Sequence, residues 1–306
     1  MIVFSTSDKG GTGRSVTSCN IAYRLCMAGK TVAYLDFDFG SPTSGALFEI
    51  GAVERGVGEG RGLHTYLLDG RASADRWDVR ATSDRGALRK MRSRTGKLVL
   101  FPGDDGGAEF NAVTDTVVRR CATLLSQLDA EFKVCIVDLS AGRSLAMELA
   151  LRATATPQLS SATVRWLVYH RWTRQHILAA NGLVHGTHGL LEEASHWGHD
   201  RTKLLSDLRY IRTAVPQLNE PTSGASGGPQ AAWLREQDSA LRTLASRRKL
   251  GATSLLGRTP VEPVLQWREQ IILDADVANG IANAATSAAF EELAARLVNP
   301  ATWDPF

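Results

Sequence analysis

The chain alternates short apolar segments with longer segments in which apolar residues recur at helical spacing. The short segments predict buried strands at 1–6, 31–37, 97–103, 133–142, 162–170, 208–215 and 253–260. The longer segments predict helices at 14–28, 111–130, 231–247 and 284–297, and one helix or two at 173–198. Strands that alternate with helices are typical of a parallel sheet covered by helices. We therefore predict an α/β fold with a doubly wound, mostly parallel sheet and helices on both faces.

The sequence contains no internal repeat and no composition shift that marks a domain boundary. The segment EPTSGASGGPQ (220–230) is rich in Gly, Ser and Pro, and predicted strands flank it on both sides. We therefore predict a single domain over 1–306, with a flexible insertion at about 219–230.

The composition excludes several classes of protein. Of the 306 residues 43% are hydrophobic and 22% are charged, and no run of 18 apolar residues occurs. The net charge of +3 is too small to imply nucleic-acid binding. Four cysteines (Cys19, Cys26, Cys121 and Cys135) form no CxxC pair, which argues against a disulfide scaffold, a zinc ribbon or a cysteine-held cluster. We expect a water-soluble, cytoplasmic protein without membrane insertion.

A glycine-rich turn lies between the first predicted strand and the first predicted helix. Its sequence is Lys9-Gly10-Gly11-Thr12-Gly13-Arg14-Ser15. Glycines at such a turn let backbone N–H groups converge on an anion, and the start of the helix adds the positive end of its dipole. The turn therefore predicts a phosphate-binding loop. The usual motif G-x-x-x-x-G-K-[ST] is not matched, because Asp8 and Arg14 stand at its first Gly and its Lys.

The loop resembles the deviant Walker A motif of the MinD/ParA family, K-G-G-x-G-K-[ST], with Arg14 in place of the second lysine. The resemblance extends through SVTSCNIAYRLCMAGKTVAYLDFD (15–38) and VCIVDLSAG (134–142) and covers most of the chain. It is nearest to an actinobacterial variant P-loop subgroup with this arginine. The resemblance implies a P-loop NTPase fold, ATP and Mg²⁺ as cofactors, and a homodimer that forms on nucleotide binding.

The resemblance also assigns roles to individual residues. Lys9 matches the signature lysine, which in the family reaches the phosphates bound by the partner subunit, and Asp38 matches the aspartate that positions the attacking water. Both are candidate catalytic residues. The candidate metal ligands are Ser15, Asp38 and Asp138. The candidate nucleotide-binding residues are Lys9, Gly10, Gly11, Thr12, Gly13, Arg14, Ser15 and Val16.

Arg14 is the main departure from the family pattern. A guanidinium is larger than an ammonium and is planar, so this exchange is not conservative in a crowded phosphate site. A small displacement of a catalytic group costs on the order of 100-fold in rate. The residues therefore predict nucleotide binding and leave two alternatives open for hydrolysis. The chain is either a switch with weak ATPase activity or a hydrolysis-deficient pseudo-ATPase scaffold.

Three further segments offer chemistry, each with a plainer interpretation. The basic run Arg242…Arg247-Arg248-Lys249 suggests a DNA-associated partitioning or positioning protein, although most such runs are solvated helix faces. The histidine cluster between 185 and 199 contains two i, i+3 pairs that suit a metal, but it lacks H-E-x-x-H. In HRWTRQH (170–176), Trp172 suits base stacking and Arg174 suits a phosphate, but both residue types are common at protein interfaces, which is the favoured interpretation. The sequence does not identify a protein partner.

Overall fold

The computed structural model describes residues 1–70, 73–90, 95–217 and 228–304. These residues form a single mixed sheet. Its strands are β1 (Ile2–Thr6), β2 (Val32–Phe37), β3 (Trp77–Asp78), β4 (Leu98–Phe101), β5 (Val134–Leu139), β6 (Val164–Arg171), β7 (Leu208–Val215) and β8 (Leu255–Pro260).

The strand order is β3-β4-β2-β5-β1-β6-β7-β8. Every strand pair in this sheet is parallel except β3 with β4, at the edge. The predicted α/β fold with a mostly parallel sheet is confirmed. Strand β1 lies in the middle, between β5 and β6, so the loop that follows it leaves the centre of the sheet at its carboxyl edge.

The helices cover both faces of the sheet. They are α1 (Arg14–Met27), α2 (Ser44–Leu47), α3 (Leu63–Asp69), α4 (Val79–Thr82), α5 (Gly86–Arg89), α6 (Asp115–Glu131), α7 (Leu145–Thr154), α8 (Arg174–His185), α9 (Leu190–His196), α10 (Arg201–Ser206), α11 (Pro229–Arg247), α12 (Val264–Trp267), α13 (Asp274–Ala278) and α14 (Ala284–Val298). Apolar side chains of α6 to α9 fill the core on one face, and those of α1 and α14 fill the core on the other.

The structure refines several of the predicted elements. The region 173–198 forms two helices, α8 and α9, and the sequence prediction missed α3 and α7. Most of the predicted insertion at 219–230 lies outside the described residues, and its last two residues begin α11. The single-domain organisation stays a prediction. Within the described residues, none of the helices has both the length and the apolar character needed to cross a bilayer.

Candidate functional site

The glycine loop occupies the carboxyl end of the central strand. It lies between the end of β1 and the start of α1, and Gly11 and Gly13 adopt φ values of +68° and +75°. Glycine suits this left-handed region because a Cβ atom would be strained there. The hydroxyl of Thr213, on β7, donates to the carbonyl oxygen of Thr12 at 2.5 Å and fixes the loop to the sheet. The loop therefore places a left-handed turn directly before a helix, which is an arrangement suited to anions.

A cavity of about 140 Å³ lies inside this loop. Its lining is Ser7, Gly10, Gly11, Thr12, Gly13, Arg14, Ser15, Val16, Asp38, Thr43, Ala141 and Glu269. The structure thus brings seven of the eight predicted nucleotide-binding residues together around one space, with Asp38 beside them. The eighth, Lys9, is exposed on the outer side of the loop and forms no ion pair with any described residue.

Two acidic strand ends meet next to the loop. Asp36, in β2, is the register partner of Asp138, in β5, because the two strands are parallel neighbours. Asp36 accepts hydrogen bonds from the backbone N–H groups of Asp38, Thr43 and Ser44 at 3.0 to 3.2 Å. Burial and the nearby charge of Asp138 raise the pKa of Asp36 to about 7, although the bonds from Ser44 lower it. Asp36 therefore orders the 38–44 loop.

Arg14 contacts all three candidate metal ligands. Its Nε donates to Oδ1 of Asp138 at 2.6 Å, and its Nη2 donates to Oδ2 of Asp38 at 2.9 Å. The same Nη2 lies 3.4 Å from Oγ of Ser15. Burial lowers the pKa of Arg14, but the charges of Asp138 and Asp38 outweigh that effect and raise it above its ordinary value. The side chain, 7% exposed, therefore lies as a permanent cation between the two acids.

Tyr34 completes the surroundings of Asp138. Its hydroxyl donates to Oδ2 of Asp138 at 3.0 Å, so both carboxylate oxygens of this buried residue accept hydrogen bonds. The sequence analysis missed Tyr34 because a tyrosine in a buried strand is typical of a core. The available signal was strand alternation, since Tyr34 and Asp36 lie two residues apart on the same side of β2.

The segment after α12 closes the site from the other end of the chain. Asn20, on α1, donates from Nδ2 to the carbonyl oxygen of Gln270 at 3.1 Å, and its Oδ1 accepts from the backbone N–H of Ile272 at 2.8 Å. These two bonds hold Glu269 where its side chain lines the loop cavity. Sequence reasoning gave no sign of Glu269, because its approach depends on the packing of the C-terminal segment against α1.

None of the other candidate segments lines the loop cavity. Trp172 is buried, its indole N–H donates to Asp238 at 2.8 Å, and the Arg212 guanidinium lies 4.2 Å from the ring centroid. These contacts pack Trp172 inside its own chain, so its buried ring is available neither to stack on a base nor to form an interface. Among the described residues, no group of three or more His, Cys, Asp or Glu side chains is placed to hold a metal. The basic run at the end of α11 is exposed, and DNA binding there stays a prediction.

Comparison with known proteins finds similar solved structures. No protein-family model matches the sequence, and no curated protein matches it. Among solved structures, MinD from Aquifex aeolicus is similar with a TM-score of 0.59 and 16% identity, covering 97% of this chain and 95% of that one. MinD from Pyrococcus horikoshii, complexed with Mg-ADP, gives a TM-score of 0.54 and 16% identity over 98% and 96%.

A third similar structure is an McdA–ATP complex from Cyanothece. It gives a TM-score of 0.58 and 13% identity, covering 97% of this chain and 95% of that one. The chain therefore has the fold of the MinD and ParA ATPases over nearly its full length.

Proposed function

We propose that this chain, which has the MinD/ParA fold, is an ATP-binding protein that joins two copies of itself when the nucleotide is bound. The observation that carries the proposal is the loop of residues 7–13, with its left-handed glycines, at the start of α1. Backbone N–H groups and the helix dipole supply attraction for phosphate oxygens at this position. The similar MinD and McdA structures contain Mg-ADP and ATP, which supports an adenine nucleotide as the ligand.

Lys9 is the proposed contact between subunits. The sequence resemblance assigns it to the phosphates of the partner subunit, and the side chain is exposed, with no ion pair to any described residue of its own chain. A neighbouring aspartate, Asp8, is paired instead with Arg143 at 3.0 Å. Lys9 is therefore free to act on a second copy. A homodimer that closes over two nucleotides would use it.

The Mg²⁺ expected from the resemblance does not fit the side chains as they are arranged. Its candidate ligands, Ser15, Asp38 and Asp138, all contact the guanidinium of Arg14, and the second oxygen of Asp138 accepts from Tyr34. A divalent cation and a guanidinium repel each other and compete for the same oxygens. Mg²⁺ binding by these residues stays a prediction, and none of the roles proposed here depends on it.

Arg14 also bears on hydrolysis. Its Nη2 binds Asp38, the residue that the resemblance assigns to the attacking water. An aspartate held in an ion pair is less able to orient water, so we propose weak turnover. The same pair favours the second candidate function, a nucleotide-binding scaffold that does not hydrolyse ATP. The two candidates share the binding site and differ only in phosphate release.

The test is a calorimetric titration of ATP into the nucleotide-stripped protein, with released phosphate assayed in the same sample. We expect micromolar binding to the wild-type protein and slow phosphate release. Lys9→Ala should remove ATP-dependent dimerisation, measured by light scattering as loss of a species with twice the 33.1 kDa mass. Lys203→Ala, an exposed lysine on α10, is the matched control and should behave as wild type.

Three results would separate the candidates. Absence of ATP binding at millimolar concentration contradicts the proposed function altogether. Binding with no phosphate release identifies the scaffold. Binding without a change in mass would show that ATP does not join two copies, and the switch would then be excluded while the nucleotide site remained.

A further inference from the structure

The three side chains that a metal would use are already bound to a cation of the chain itself. Arg14 lies 2.6 Å from Asp138, 2.9 Å from Asp38 and 3.4 Å from Ser15. These residues come from three separate segments, the ends of β2 and β5 and the start of α1. One guanidinium therefore joins the same set of oxygens that the sequence assigns to a divalent ion.

These hydrogen bonds leave few oxygen atoms free to coordinate a metal. Mg²⁺ requires near-octahedral oxygen ligands at about 2.0–2.1 Å and dehydrates reluctantly. Both oxygens of Asp138 already accept hydrogen bonds, from Arg14 and from Tyr34, and the carboxylate is 1% exposed. Withdrawal of the arginine would leave the buried carboxylate of Asp138 without its compensating charge, which is costly.

We propose that the guanidinium of Arg14 takes the place of the divalent cation, so that nucleotide binds to this chain without Mg²⁺. The inference rests on the nucleotide-binding function proposed above. This role of Arg14 differs from that of the lysine usual at this position of a P-loop, because Arg14 binds the acids as well as the phosphates.

The chemistry of arginine suits this role in two ways. Its charge is permanent, so it holds Asp38 and Asp138 together at every physiological pH. Its planar group presents five N–H donors, of which Nε and Nη2 are used by the acids and Ser15. Nη1 has no hydrogen-bond partner among the described residues, and the side chain lines the loop cavity. That nitrogen can therefore donate to a phosphate oxygen.

The acidic side chains around the cavity explain why a cation is needed there. Asp38 and Asp138 lie beside the cavity, and Glu269 lines it, so polyphosphate would meet carboxylates there. Arg14 neutralises part of this charge and brings donors of its own. It carries one positive charge where Mg²⁺ carries two, so we expect moderate nucleotide affinity and no gain from added metal.

The first measurement needs no nucleotide. Thermal unfolding of the wild-type protein and of Arg14→Gln is recorded in millimolar MgCl₂ and in EDTA. We expect no metal response from the wild-type protein and a clear rise in the Tm of Arg14→Gln, because the freed acids can then accept Mg²⁺. Arg24→Gln is the matched control, since it also removes a buried arginine of α1 that pairs with two acids. Metal stabilisation of the wild-type protein, or none of Arg14→Gln, overturns the inference.

The second measurement uses the wild-type protein alone, so it does not depend on how the variants fold. ATP is titrated calorimetrically in MgCl₂ and again in EDTA. We expect dissociation constants that agree within about threefold. Binding that weakens by more than about tenfold in EDTA overturns the inference but leaves the proposed function intact. Absence of binding in both buffers contradicts the proposed function, and the thermal unfolding data then decide the role of Arg14 by themselves.

Discussion

Helix α1 carries two buried arginines that pair with acids in different ways. Arg14 stands at its first position and binds Asp138 and Asp38, whose side chains are 1% and 28% exposed. Arg24 stands in the last turn and binds Asp274 and Glu291, whose side chains are 64% and 58% exposed. Water can therefore solvate the partners of Arg24, but it cannot reach the main partner of Arg14.

The two arginines therefore have different roles. Arg24 has a structural role, whereas Arg14 lies at the candidate site. Arg24 also donates to the carbonyl oxygen of Ile272 and to Oγ of Ser287, so it fastens the C-terminal segment to α1. Among the described residues, Arg14 binds the two acids and the neighbouring Ser15, and it lines a cavity. Pairs with exposed carboxylates contribute little to stability, whereas breaking a buried pair leaves an uncompensated charge. The two arginines should thus respond differently to the same substitution.

The largest effect is expected from replacing each arginine by leucine. Arg14→Leu should lower the free energy of unfolding by about 3–5 kcal/mol, because Asp138 is left buried and unpaired. Arg24→Leu should lower it by about 1–2 kcal/mol, through the lost hydrogen bonds to Ile272 and Ser287. Urea unfolding measures both. The double variant Arg14→Leu/Asp138→Asn should recover part of the lost free energy of unfolding. Equal losses for Arg14→Leu and Arg24→Leu would contradict the difference proposed between the two arginines.

A smaller effect is expected from Arg14→Lys. Lysine keeps the positive charge but lacks the fork that joins Asp38 to Asp138, so Asp38 becomes available to water. We expect phosphate release to rise by about tenfold or more. Arg24→Lys should leave the rate unchanged, since its partners lie outside the cavity lining. An unchanged rate for Arg14→Lys would show that the ion pair with Asp38 does not restrain hydrolysis.

The acids near Arg14 should also make stability depend on pH. The pKa of Asp36 is raised from 3.8 to about 7 by burial and by Asp138, so the folded chain holds a proton that the unfolded chain releases within this range. The free energy of unfolding should therefore fall as pH rises through it, by up to about 1.4 kcal/mol per pH unit. Asp36→Asn should flatten this slope, measured by urea unfolding between the two pKa values. An unchanged slope in Asp36→Asn would contradict this origin of the pH dependence.

The smallest effect is expected from the hydrogen bonds of Arg24. Ser287→Ala removes one hydrogen bond from Nη2 of Arg24, which has a length of 2.9 Å. We expect a loss of about 1 kcal/mol in the free energy of unfolding and no change in ATP affinity. A change in ATP affinity, measured by calorimetry, would show that the two ends of α1 are coupled.

The sequence predicted the strands well because buried parallel strands are continuous apolar runs, as in VCIVDL of β5. It missed α7, although Ser144 caps that helix by accepting from the N–H of Met147 and Glu148 lies in its first turn. That capping signal was present in the sequence, directly after the small-residue turn at 140–142. Strand β3 has two residues and no pattern to detect.

The positions of those candidate residues that lie at strand ends were predictable. The strand and helix pattern placed the glycine loop after β1, the resemblance identified the acids after β2 and in β5, and parallel strands bring these ends together. The direction of the Arg14 side chain was not predictable, since its partner Asp138 is 124 residues away. The approach of Glu269 depends in the same way on tertiary packing.

The bonds of Asn20 have a consequence for how the chain is made. Asn20 lies in α1, but its partner Gln270 is synthesised 250 residues later. Until then, the amide of Asn20 lacks its bonds to Gln270 and Ile272, and the guanidinium of Arg24 lacks its acceptors, which disfavours a closed core. The nascent chain therefore cannot complete its loop cavity before this segment is made. A truncated product that ends before this segment would carry the loop motif without the finished site.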